Sequence, residues 1–462
     1  MTTLERAIEL RKEGRIQESL PLLEQALRED PLNPQVWKHA GFTAIAMRQF
    51  KFAKSMLESY ARSAPEDAFG HFNLGYARWA LGDYEAAQVA TVRALAIHPN
   101  FVKANIAAGY LAYMIGQPDQ GRAYHDHALS LGSTNADDLT LLGILRVLRG
   151  DYAGGWPMFD AARWRGTEWK TPKWRREAKG LLWNGEDISD RTLYLHGEGG
   201  FGDTLMFCRY GAMLADRARE VVLVADPPLD RLMRQVRGII RVEKESDLED
   251  PNVAHVSSWS LPAILGTTLE TIPNECPYFH PPEDGPQLEP TDRLRVGLAW
   301  AGNPELPHDP DRSCPQVELL APLCEVPGID WYSMQIGVRT EDARRLTIRP
   351  SPAVKDFAET AYLLRQLDLV VTVDTSLAHL AGGLGVPTWV MVPTYREFRW
   401  EIDGDRAPWY PTMRLFRRPH TAHWPVVIRQ IATGLGDLVR RRAERPDRRI
   451  TLADTFDADI GA

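Results

Sequence analysis

The residues best suited to chemistry lie in the segment Val373–Pro387, which reads Val-Asp-Thr-Ser-Leu-Ala-His-Leu-Ala-Gly-Gly-Leu-Gly-Val-Pro. The apolar run before it predicts a buried strand that ends at Asp374, and Thr375 and Ser376 are typical of a helix start. Free backbone N–H groups and the helix dipole make such a start an anion site, to which His379 can add a donor. The segment therefore favours diphosphate binding. An ordinary capped helix with His379 in the core is the alternative.

A second polar loop begins at Trp300-Ala301-Gly302-Asn303-Pro304 and continues through His308 to Arg312. It follows a predicted strand, at the place where a parallel sheet carries its ligand loops. Gly302 allows close approach of the backbone, and the guanidinium of Arg312 can hold a phosphate by two parallel hydrogen bonds. We expect Trp300, Gly302, Asn303 and Arg312 to contact the same anion, with a solvated polar loop as the alternative.

A third loop, Glu198-Gly199-Gly200-Phe201-Gly202-Asp203-Thr204, joins a predicted strand to a predicted helix. The spacing of its glycines departs from Gly-x-Gly-x-x-Gly, and no acidic residue follows at a strand end, so NAD binding is not supported. Asp203 is a candidate general base. It is equally well placed to be only the N-cap of the helix. Glu198 and His308 are the next candidates for the base.

Metal and redox chemistry have little support in the sequence. Asp403-Gly404-Asp405 has the spacing of a metal-binding Asp-x-Asp cluster but lies late in the chain, beside Arg399-Trp400. The cysteines lack metal-type or redox-type spacing and are Cys208, Cys276, Cys314 and Cys324. We therefore expect no metal and no cofactor, with reduced cysteines of the kind found in cytoplasmic proteins.

The first third of the chain repeats with a period of 34 residues. The positions that recur are Gly41, Gly75, Gly109 and Gly143, then Gly82, Gly116 and Gly150, and finally Pro31, Pro65 and Pro99. This period is that of a tetratricopeptide (TPR) unit, a helix–turn–helix that buries its apolar face against its neighbours. Small residues are expected where paired helices approach closely, and prolines where the second helix ends. The pattern predicts nearly five helical pairs, reaching about residue 165.

Aromatic residues become frequent where the repeats end. Five tryptophans follow within a short stretch, namely Trp156, Trp164, Trp169, Trp174 and Trp183. Large apolar rings of this kind are expected to seal the last repeat against the next domain. A contact to an acceptor or ligand is the alternative.

Beyond the repeats, the pattern changes from period 3.6 to short β-branched runs separated by helices. Predicted strands lie at 192–196, 221–224, 239–242 and 255–256, with a helix at 204–218. After a proline-rich linker at 277–290, further strands are predicted at 295–300, 330–334, 369–373 and 388–392, with a helix at 357–366. Two such blocks predict two parallel-sheet, Rossmann-like domains that face each other across a cleft.

The predicted fold is therefore α + α/β, with an N-terminal TPR α-solenoid and two Rossmann-like domains. The predicted boundaries are 1–165 for the solenoid, 166–288 and 289–440 for the two sheet domains, and 441–462 for a tail. The tail carries the basic run Arg440-Arg441-Arg442, which we interpret as a solvated helix end.

The overall composition narrows the range of partners. The chain has 462 residues, of which 44% are hydrophobic and 25% charged, as in ordinary globular proteins. A net charge of −8 disfavours nucleic acid as the main partner. The chain has no 18-residue apolar run and no apolar stretch at Met1, so we expect neither a membrane span nor a signal peptide and a cytoplasmic location.

Taken together, these segments resemble the ADP-heptosyltransferase-like glycosyltransferases of the GT-B fold. The resemblance rests on Gly202-Asp203, on Asp374-Thr375 with His379-Leu380-Ala381 and Pro387, and on the loop words Trp300-Ala301-Gly302-Asn303-Pro304, Asp311-Arg312, Arg399-Trp400 and Trp409-Tyr410-Pro411. It extends to the bacterial subgroup in which TPR repeats precede this catalytic unit, an arrangement similar to O-GlcNAc transferase and flagellin glycosyltransferases.

The resemblance implies a GT-B glycosyltransferase in which residues 289–440 bind a nucleotide-diphosphate sugar, with Thr375, Ser376 and His379 near the phosphates. It implies that Asp203 faces the acceptor from the domain at 166–288. Arg312 stands nearest to the place where heptosyltransferases carry a lysine, and Ser376 replaces their glycine, so heptose specificity is not supported.

The expected reaction is a metal-independent, inverting transfer of a sugar to an acceptor, with a nucleotide sugar as donor and no further cofactor. The acceptor is expected to be a Ser or Thr of a protein held by the repeats, or a glycan reached through glycan-assembly partners. A non-catalytic TPR scaffold with a degenerate nucleotide-sugar unit is the competing class, and a nucleotide-sugar epimerase is less favoured.

Overall fold

The computed structural model describes residues 1–166, 171–306, 309–337, 339–394, 397–421, 423–445 and 450–458. The chain divides into two compact units, Met1–Ser133 and Thr134–Ala462. Trp169, one of the five junction tryptophans, and the candidate base His308 lie outside the described residues.

The first unit consists of helical pairs. Its helices are α1 (Thr3–Lys12), α2 (Ile16–Glu29), α3 (Pro34–Ala46), α4 (Phe50–Ser63), α5 (Ala68–Ala80), α6 (Tyr84–Ile97), α7 (Val102–Met114) and α8 (Pro118–Ser130). The repeating prolines follow the ends of α2, α4 and α6, as predicted. Side chains at helix starts satisfy free amides, since Asn33 accepts from the N–H of Gln35 and Asp67 accepts from those of Phe69 and Gly70.

The periodic glycines have two different jobs. A Cβ at Gly41 would lie 2.6 Å from Leu57 Cγ, and one at Gly75 would lie 3.2 Å from the Ala87 carbonyl, so these glycines let paired helices touch. Gly82 ends the first helix of its pair with φ of +79°, a left-handed conformation that favours glycine. Gly14 and Arg48 hold the same conformation at the same 34-residue step, which extends the predicted series toward the N-terminus.

The second unit begins with one more helical pair, α9 (Ala136–Leu148) and α10 (Tyr152–Arg163). The sequence placed the end of the solenoid at residue 165, whereas the compact units separate between Ser133 and Thr134. The reason is that α10 buries Trp156, Phe159 and Arg163 completely against residues of the sheet domains. The fifth helical pair is therefore structurally part of the α/β unit.

The first sheet is parallel and has the strand order β1-β5-β2-β3-β4. Its strands are β1 (Leu181–Leu182), β2 (Ile188–His196), β3 (Ala218–Val224), β4 (Ile239–Glu243) and β5 (Ala254–Ser257). Its helices are α11 (Lys173–Glu177), α12 (Phe201–Phe207), α13 (Gly211–Ala215), α14 (Asp230–Met233) and α15 (Leu261–Ile264). The helix predicted at 204–218 is thus two short helices, which a 3₁₀ turn at Cys208–Tyr210 connects.

The second sheet has the order β11-β12-β10-β9-β6-β7-β8 and is parallel except for β11. Its strands are β6 (Leu294–Ala299), β7 (Ile329–Ser333), β8 (Arg349–Pro350), β9 (Leu369–Val373), β10 (Thr388–Val392), β11 (Arg406–Ala407) and β12 (Tyr410–Arg417). Its helices are α16 (Asp309–Arg312), α17 (Ala321–Cys324), α18 (Phe357–Leu364), α19 (Ser376–Gly383), α20 (Trp424–Glu444) and α21 (Leu452–Phe456). β6 pairs with β9, so the loops after these two strands leave the same edge.

The predicted boundary at residue 440 needs correction. The boundary at residue 440 falls inside α20, a helix whose apolar face, including Ile428 and Leu435, is buried in the core of the second sheet. The expected tail then packs back on that sheet, because the indole N–H of Trp389 donates to the Thr455 carbonyl at 3.2 Å. The predicted linker at 277–290 contains neither helix nor strand, and its Tyr278 amide donates to the Gly383 carbonyl of α19.

Among the described residues, none of the helices combines the length and the apolar composition that a membrane-spanning segment needs. The predicted tryptophan junction is present within the second unit, where Trp156, Trp174 and Trp183 are buried. The structure thus consists of N-terminal helical repeats followed by two α/β sheets, as the sequence predicts.

Candidate functional site

The start of α19 has the geometry that the sequence predicts. β9 ends at Val373, the side chain of Asp374 is buried, and Thr375 occupies the N-cap position with extended backbone angles. The Thr375 hydroxyl makes no capping hydrogen bond to α19 and lies 3.5 Å from the hydroxyl of Thr372. The first amides of α19, beginning at Ser376, are therefore not capped by Thr375 and can meet an anion.

His379 is held inside the protein. Its Nδ1 lies 2.8 Å from the Tyr410 hydroxyl, and its ring stacks on Trp400 with centroids 5.5 Å apart. Burial, reinforced by the nearby positive charge of Arg399, holds the pKa of His379 well below its usual value. The imidazole is therefore neutral, so it can contribute a hydrogen bond but no charge to a phosphate site.

Helix α12 of the first sheet domain lies directly against α19 of the second. A Cβ at Gly202 would lie 2.7 Å from His379 Cδ2 and 3.6 Å from Ser376 Cα. A side chain at position 202 would thus push the two helices apart. Glycine is needed at position 202 because this junction has no room for a Cβ. The close contact brings the starts of α12 and α19 together.

Asp203 is neither a free carboxylate nor the N-cap residue. The N-cap is Gly200, and Asp203, in the first turn of α12, accepts the Gly200 amide on Oδ2 at 2.7 Å. Its Oδ1 forms an ion pair with Arg399 of the second sheet domain. Only 16% of the Asp203 side chain is exposed. The carboxylate that we expected to be either the base or the N-cap therefore also joins the two sheet domains.

Arg399 is surrounded by acidic groups. Its Nη1 donates to Glu397 Oε2 at 2.5 Å, and its guanidinium lies 4.3 Å from the centroid of the Phe398 ring. Burial lowers the pKa of Arg399, but the carboxylates of Glu397, Asp203 and Asp374 outweigh it, and the net shift is upward. Burial raises the pKa of Glu397. The cluster therefore holds one fixed cation and an excess of carboxylates.

Arg312 lies close enough to this cluster to interact with it electrostatically, because its positive charge contributes to the lowered pKa of His379. A Cβ at Gly302 would lie 2.6 Å from Arg312 Nη2, so the glycine makes room for the guanidinium. Arg312 Nη2 is 3.5 Å from Asp309 Oδ1, and its Nε is buried with no hydrogen-bond partner among the described residues. A largely buried guanidinium whose Nε has no partner can donate hydrogen bonds to a bound anion.

Three predicted contacts lie elsewhere. The Trp300 side chain is fully buried in the core of the second sheet, and its backbone N–H donates to Gln335 Oε1 at 3.0 Å. Asn303 is exposed, and its Oδ1 accepts the amide of Glu305. Trp400 is buried beneath His379 and supports that ring rather than presenting its own surface.

Glu198 is occupied by a structural network, which weakens its candidacy as the base. Its Oε2 accepts from Arg163 Nη1 at 3.0 Å and from the Ser257 hydroxyl at 2.6 Å. Its Oε1 is buried and has no hydrogen-bond partner in the described part of the chain. One oxygen of the Glu198 carboxylate is therefore fixed by two hydrogen bonds, and Glu198 stays a secondary candidate for the base.

Sequence reasoning missed two residues that shape this region. The only sequence feature that points to Glu397 is its position two residues before Arg399. Arg209 is fully surrounded by protein and joins the two sheet domains, because it donates to the Met206 carbonyl at 2.7 Å, the Tyr278 hydroxyl at 2.9 Å and the Trp409 carbonyl at 2.5 Å. An arginine on an amphipathic helix carries no sequence signal for such a role.

Among the described residues, no group of three or more His, Cys, Asp or Glu side chains is placed to hold a metal ion. The site thus brings together the carboxylates of Asp203, Asp374 and Glu397, the guanidiniums of Arg312 and Arg399, and a helix start that Thr375 does not cap. Asp203, Arg312, Asp374, Thr375, Ser376, His379 and Arg399 belong to it, whereas Trp300 and Asn303 do not.

Comparison with known proteins identifies the repeats. A tetratricopeptide repeat family model matches residues 10–69. Protein FlbA of Caulobacter vibrioides is 23% identical over 503 aligned positions, which cover 93% of this chain and 83% of that protein. The relationship to FlbA therefore extends through the α/β unit as well as the repeats.

Solved structures of TPR proteins are similar to a limited part of the chain. TTC0263, a thermophilic TPR protein in Thermus thermophilus, is 21% identical and covers 35% of this chain and 88% of its own, with a TM-score of 0.31. MamA from Desulfovibrio magneticus RS-1 is 20% identical and covers 28% of this chain and 73% of its own, with a TM-score of 0.27. By its match to the family model, the chain contains TPR repeats, an architecture that binds protein partners.

Proposed function

We propose that this protein is a glycosyltransferase that moves a sugar from a nucleotide-diphosphate donor to a hydroxyl acceptor. The observation that carries the proposal is the position of the Asp203–Arg399 ion pair, where the starts of α12 and α19 meet. A base, fixed positive charge and uncapped helix amides are the groups that such a transfer requires.

In the proposed reaction, the acceptor oxygen attacks the anomeric carbon as the bond from that carbon to the diphosphate oxygen breaks. Asp203 takes the acceptor proton, and the diphosphate leaves with the bonding electrons. The first amides of α19, the Thr375 hydroxyl and Arg312 stabilise the negative charge of the leaving group. Attack from the side opposite the leaving group inverts the anomeric centre. The mechanism invokes no metal, because Arg312 and the helix start supply the positive charge.

Arg399 has a gating role in this mechanism. While Arg399 pairs with Asp203, the Oδ1 atom of that carboxylate is occupied by the guanidinium. A bound diphosphate would compete for the same guanidinium. We therefore expect donor binding to loosen the pair and to make Asp203 available to the acceptor.

Calorimetric titration with UDP-, GDP- and ADP-linked sugars tests the donor site, and a CMP-linked sugar, which has one phosphate, is the control. The proposal expects one of the diphosphate sugars to bind and to be consumed when acceptor is present. Failure to bind any of them would favour the competing function, a scaffold in which the α/β unit no longer does chemistry. The close contact of Gly202 with His379 is the feature that favours the scaffold, because it fills the space between α12 and α19.

The acceptor is proposed to be a Ser or Thr hydroxyl of a protein that the repeats hold, and the alternative is a glycan. Deletion of residues 1–133 separates the two, because it removes one compact unit and leaves α9 and α10 with the sheet domains. A protein acceptor predicts lost transfer with donor binding retained. Undiminished transfer by the truncated chain would rule out acceptor recognition by the first unit.

A further inference from the structure

Helix α10, the last helix of the repeat pattern, contacts both sheet domains. Toward its end, Arg163 forms an ion pair with Glu198 of the first sheet domain, at 3.0 Å. At its start, the Tyr152 hydroxyl accepts the indole N–H of Trp409, in the second sheet domain, at 3.0 Å. A helix that is bonded to two domains at once fixes their separation.

Arg163 is the buried centre of a hydrogen-bond network. The guanidinium donates from Nε to Asp160 at 3.1 Å, from Nη1 to Glu198 and from Nη2 to the Ser260 hydroxyl at 2.8 Å. The Ser260 hydroxyl donates to the same Asp160 oxygen at 2.6 Å. The Arg163 side chain has no exposed surface. Each of the three nitrogens of the planar guanidinium therefore donates a hydrogen bond, a geometry that lysine does not reproduce.

Glu198 begins the loop that carries Asp203. Its carboxylate is held by Arg163, its amide donates to the Ser258 hydroxyl at 3.3 Å, and its carbonyl accepts the Trp259 indole N–H at 3.3 Å. Between Glu198 and α12 lie only Gly199, with φ of +84°, and Gly200. A link of two residues has a short reach, so the anchor at Glu198 limits where α12 can begin.

The other member of the pair rests on the same helix. Trp156 of α10 is fully buried, and its ring meets that of Phe398 edge to face with centroids 5.3 Å apart. Phe398 immediately precedes Arg399 in the turn that faces Asp203. Trp156 also meets Phe207, at the end of α12, with centroids 6.3 Å apart. One helix therefore lies behind both partners of the Asp203–Arg399 ion pair.

We propose that α10 positions the site, with Arg163 as the positioning residue that holds the Asp203 loop through Glu198. The inference rests on the proposed function for its consequence in turnover, but its structural part stands apart from it. The fifth helical pair is then a support of the reaction centre, and the surface for protein partners lies on the earlier repeats.

The experiment uses full-length Arg163→Met and Arg163→Lys, with Arg165→Met as the matched control, since Arg165 is two residues away and exposed. Hydrogen–deuterium exchange of residues 199–203 reports the loop without any need for turnover. We expect exchange there to rise by about tenfold in both Arg163 variants and to stay unchanged in the control. Unchanged exchange in Arg163→Met would overturn the inference.

Kinetics separate positioning from plain stability. A displaced Asp203 should lower kcat by about 10²-fold and leave the donor KM within about twofold. The double variant Arg163→Met/Glu198→Gln removes one of the two carboxylate charges, those of Asp160 and Glu198, that lose their partner in the single variant, so its thermal stability should recover in part. Positioning predicts that kcat stays low in the double variant, and recovery of kcat together with stability would contradict it. If the wild-type enzyme transfers no sugar, the proposed function fails, and the exchange result still decides the structural part.

Discussion

The Asp203 carboxylate of the first sheet domain and the Arg399 guanidinium of the second form an ion pair across the junction of α12 and α19. The candidate base Asp203 therefore also connects the two sheet domains. Its removal should therefore change both turnover and stability, and the two effects have to be measured separately.

Asp203→Asn should lower kcat by about 10²–10⁴-fold, because the amide cannot take the acceptor proton. Nucleotide-sugar affinity should not fall, since the donor groups lie on α16 and α19 and the amide competes less with the diphosphate for Arg399. Asp216→Asn is the control, because Asp216 is exposed at the end of α13. Unfolding of Asp203→Asn that accounts for all the lost activity would instead assign this carboxylate a structural role alone.

Gly202→Ala should destabilise the second unit by about 1–3 kcal/mol, because the new methyl would overlap His379 where the two helices touch. Gly200→Ala is a close control. A Cβ at Gly200 would meet nothing nearer than Asp203 Oδ2 at 3.7 Å, and its φ of −97° suits any residue. Thermal unfolding followed by circular dichroism compares the two, and equal stability would show that α12 and α19 separate easily.

Arg312→Ala should weaken nucleotide-sugar binding by about 1.5–3 kcal/mol, the range for hydrogen bonds to a charged group. Arg345→Ala is the control, because Arg345 lies in the same sheet domain but is exposed and pairs with Glu318 at 3.2 Å. Calorimetric titration measures both variants. Equal affinity of Arg312→Ala and wild type would remove Arg312 from the donor site.

Acid should destabilise the second unit through His196. Burial lowers the pKa of His196 to about 3, and its Nε2 lies 3.1 Å from Nδ1 of His255. In the unfolded chain a histidine takes up a proton near pH 6.5. The free energy of unfolding should therefore fall as the pH drops from about 6.5 to 3, by about 1.4 kcal/mol per pH unit for this group.

Denaturant unfolding of His196→Gln at several pH values measures that slope. The variant should show a shallower dependence on pH than the wild type, whatever its absolute stability. His280→Gln is the control, since His280 is exposed. An unchanged slope in His196→Gln would mean that this histidine titrates normally in the folded protein.

Local patterns predict the architecture well, because they act over short distances. The 34-residue period fixed the helical pairs, and β-branched runs located the strands β3, β9 and β10 to within a few residues. The short strands β1, β8 and β11 carry no periodic signal, and β12 contains the polar residues Thr412 and Arg414. They become strands because neighbouring strands offer hydrogen bonds, which a local pattern does not register.

Residue types and their positions after strand ends predict which side chains could bind a ligand or catalyse a reaction. They do not predict which of these side chains lie close together in the fold. Asp203, Arg312, Thr375 and His379 follow strand ends, and parallel strands bring such ends to one edge. Trp300 obeys the same rule, yet its ring is buried in the core of the second sheet, in one cluster with Val371 and Trp389. The direction of a side chain depends on packing partners far along the chain, which no local spacing reveals.

The sequence by itself determined the helical repeats, the two sheets and the anion-suited start of α19, because each follows from periodicity or from capping within a few residues. Only the tertiary structure decided that Asp203 pairs with Arg399, that Glu198 belongs to Arg163, and that α10 joins the α/β unit. These are contacts between residues 35 to 257 positions apart. Charge pairing at that range depends on how whole domains pack, and the chain order carries no direct record of it.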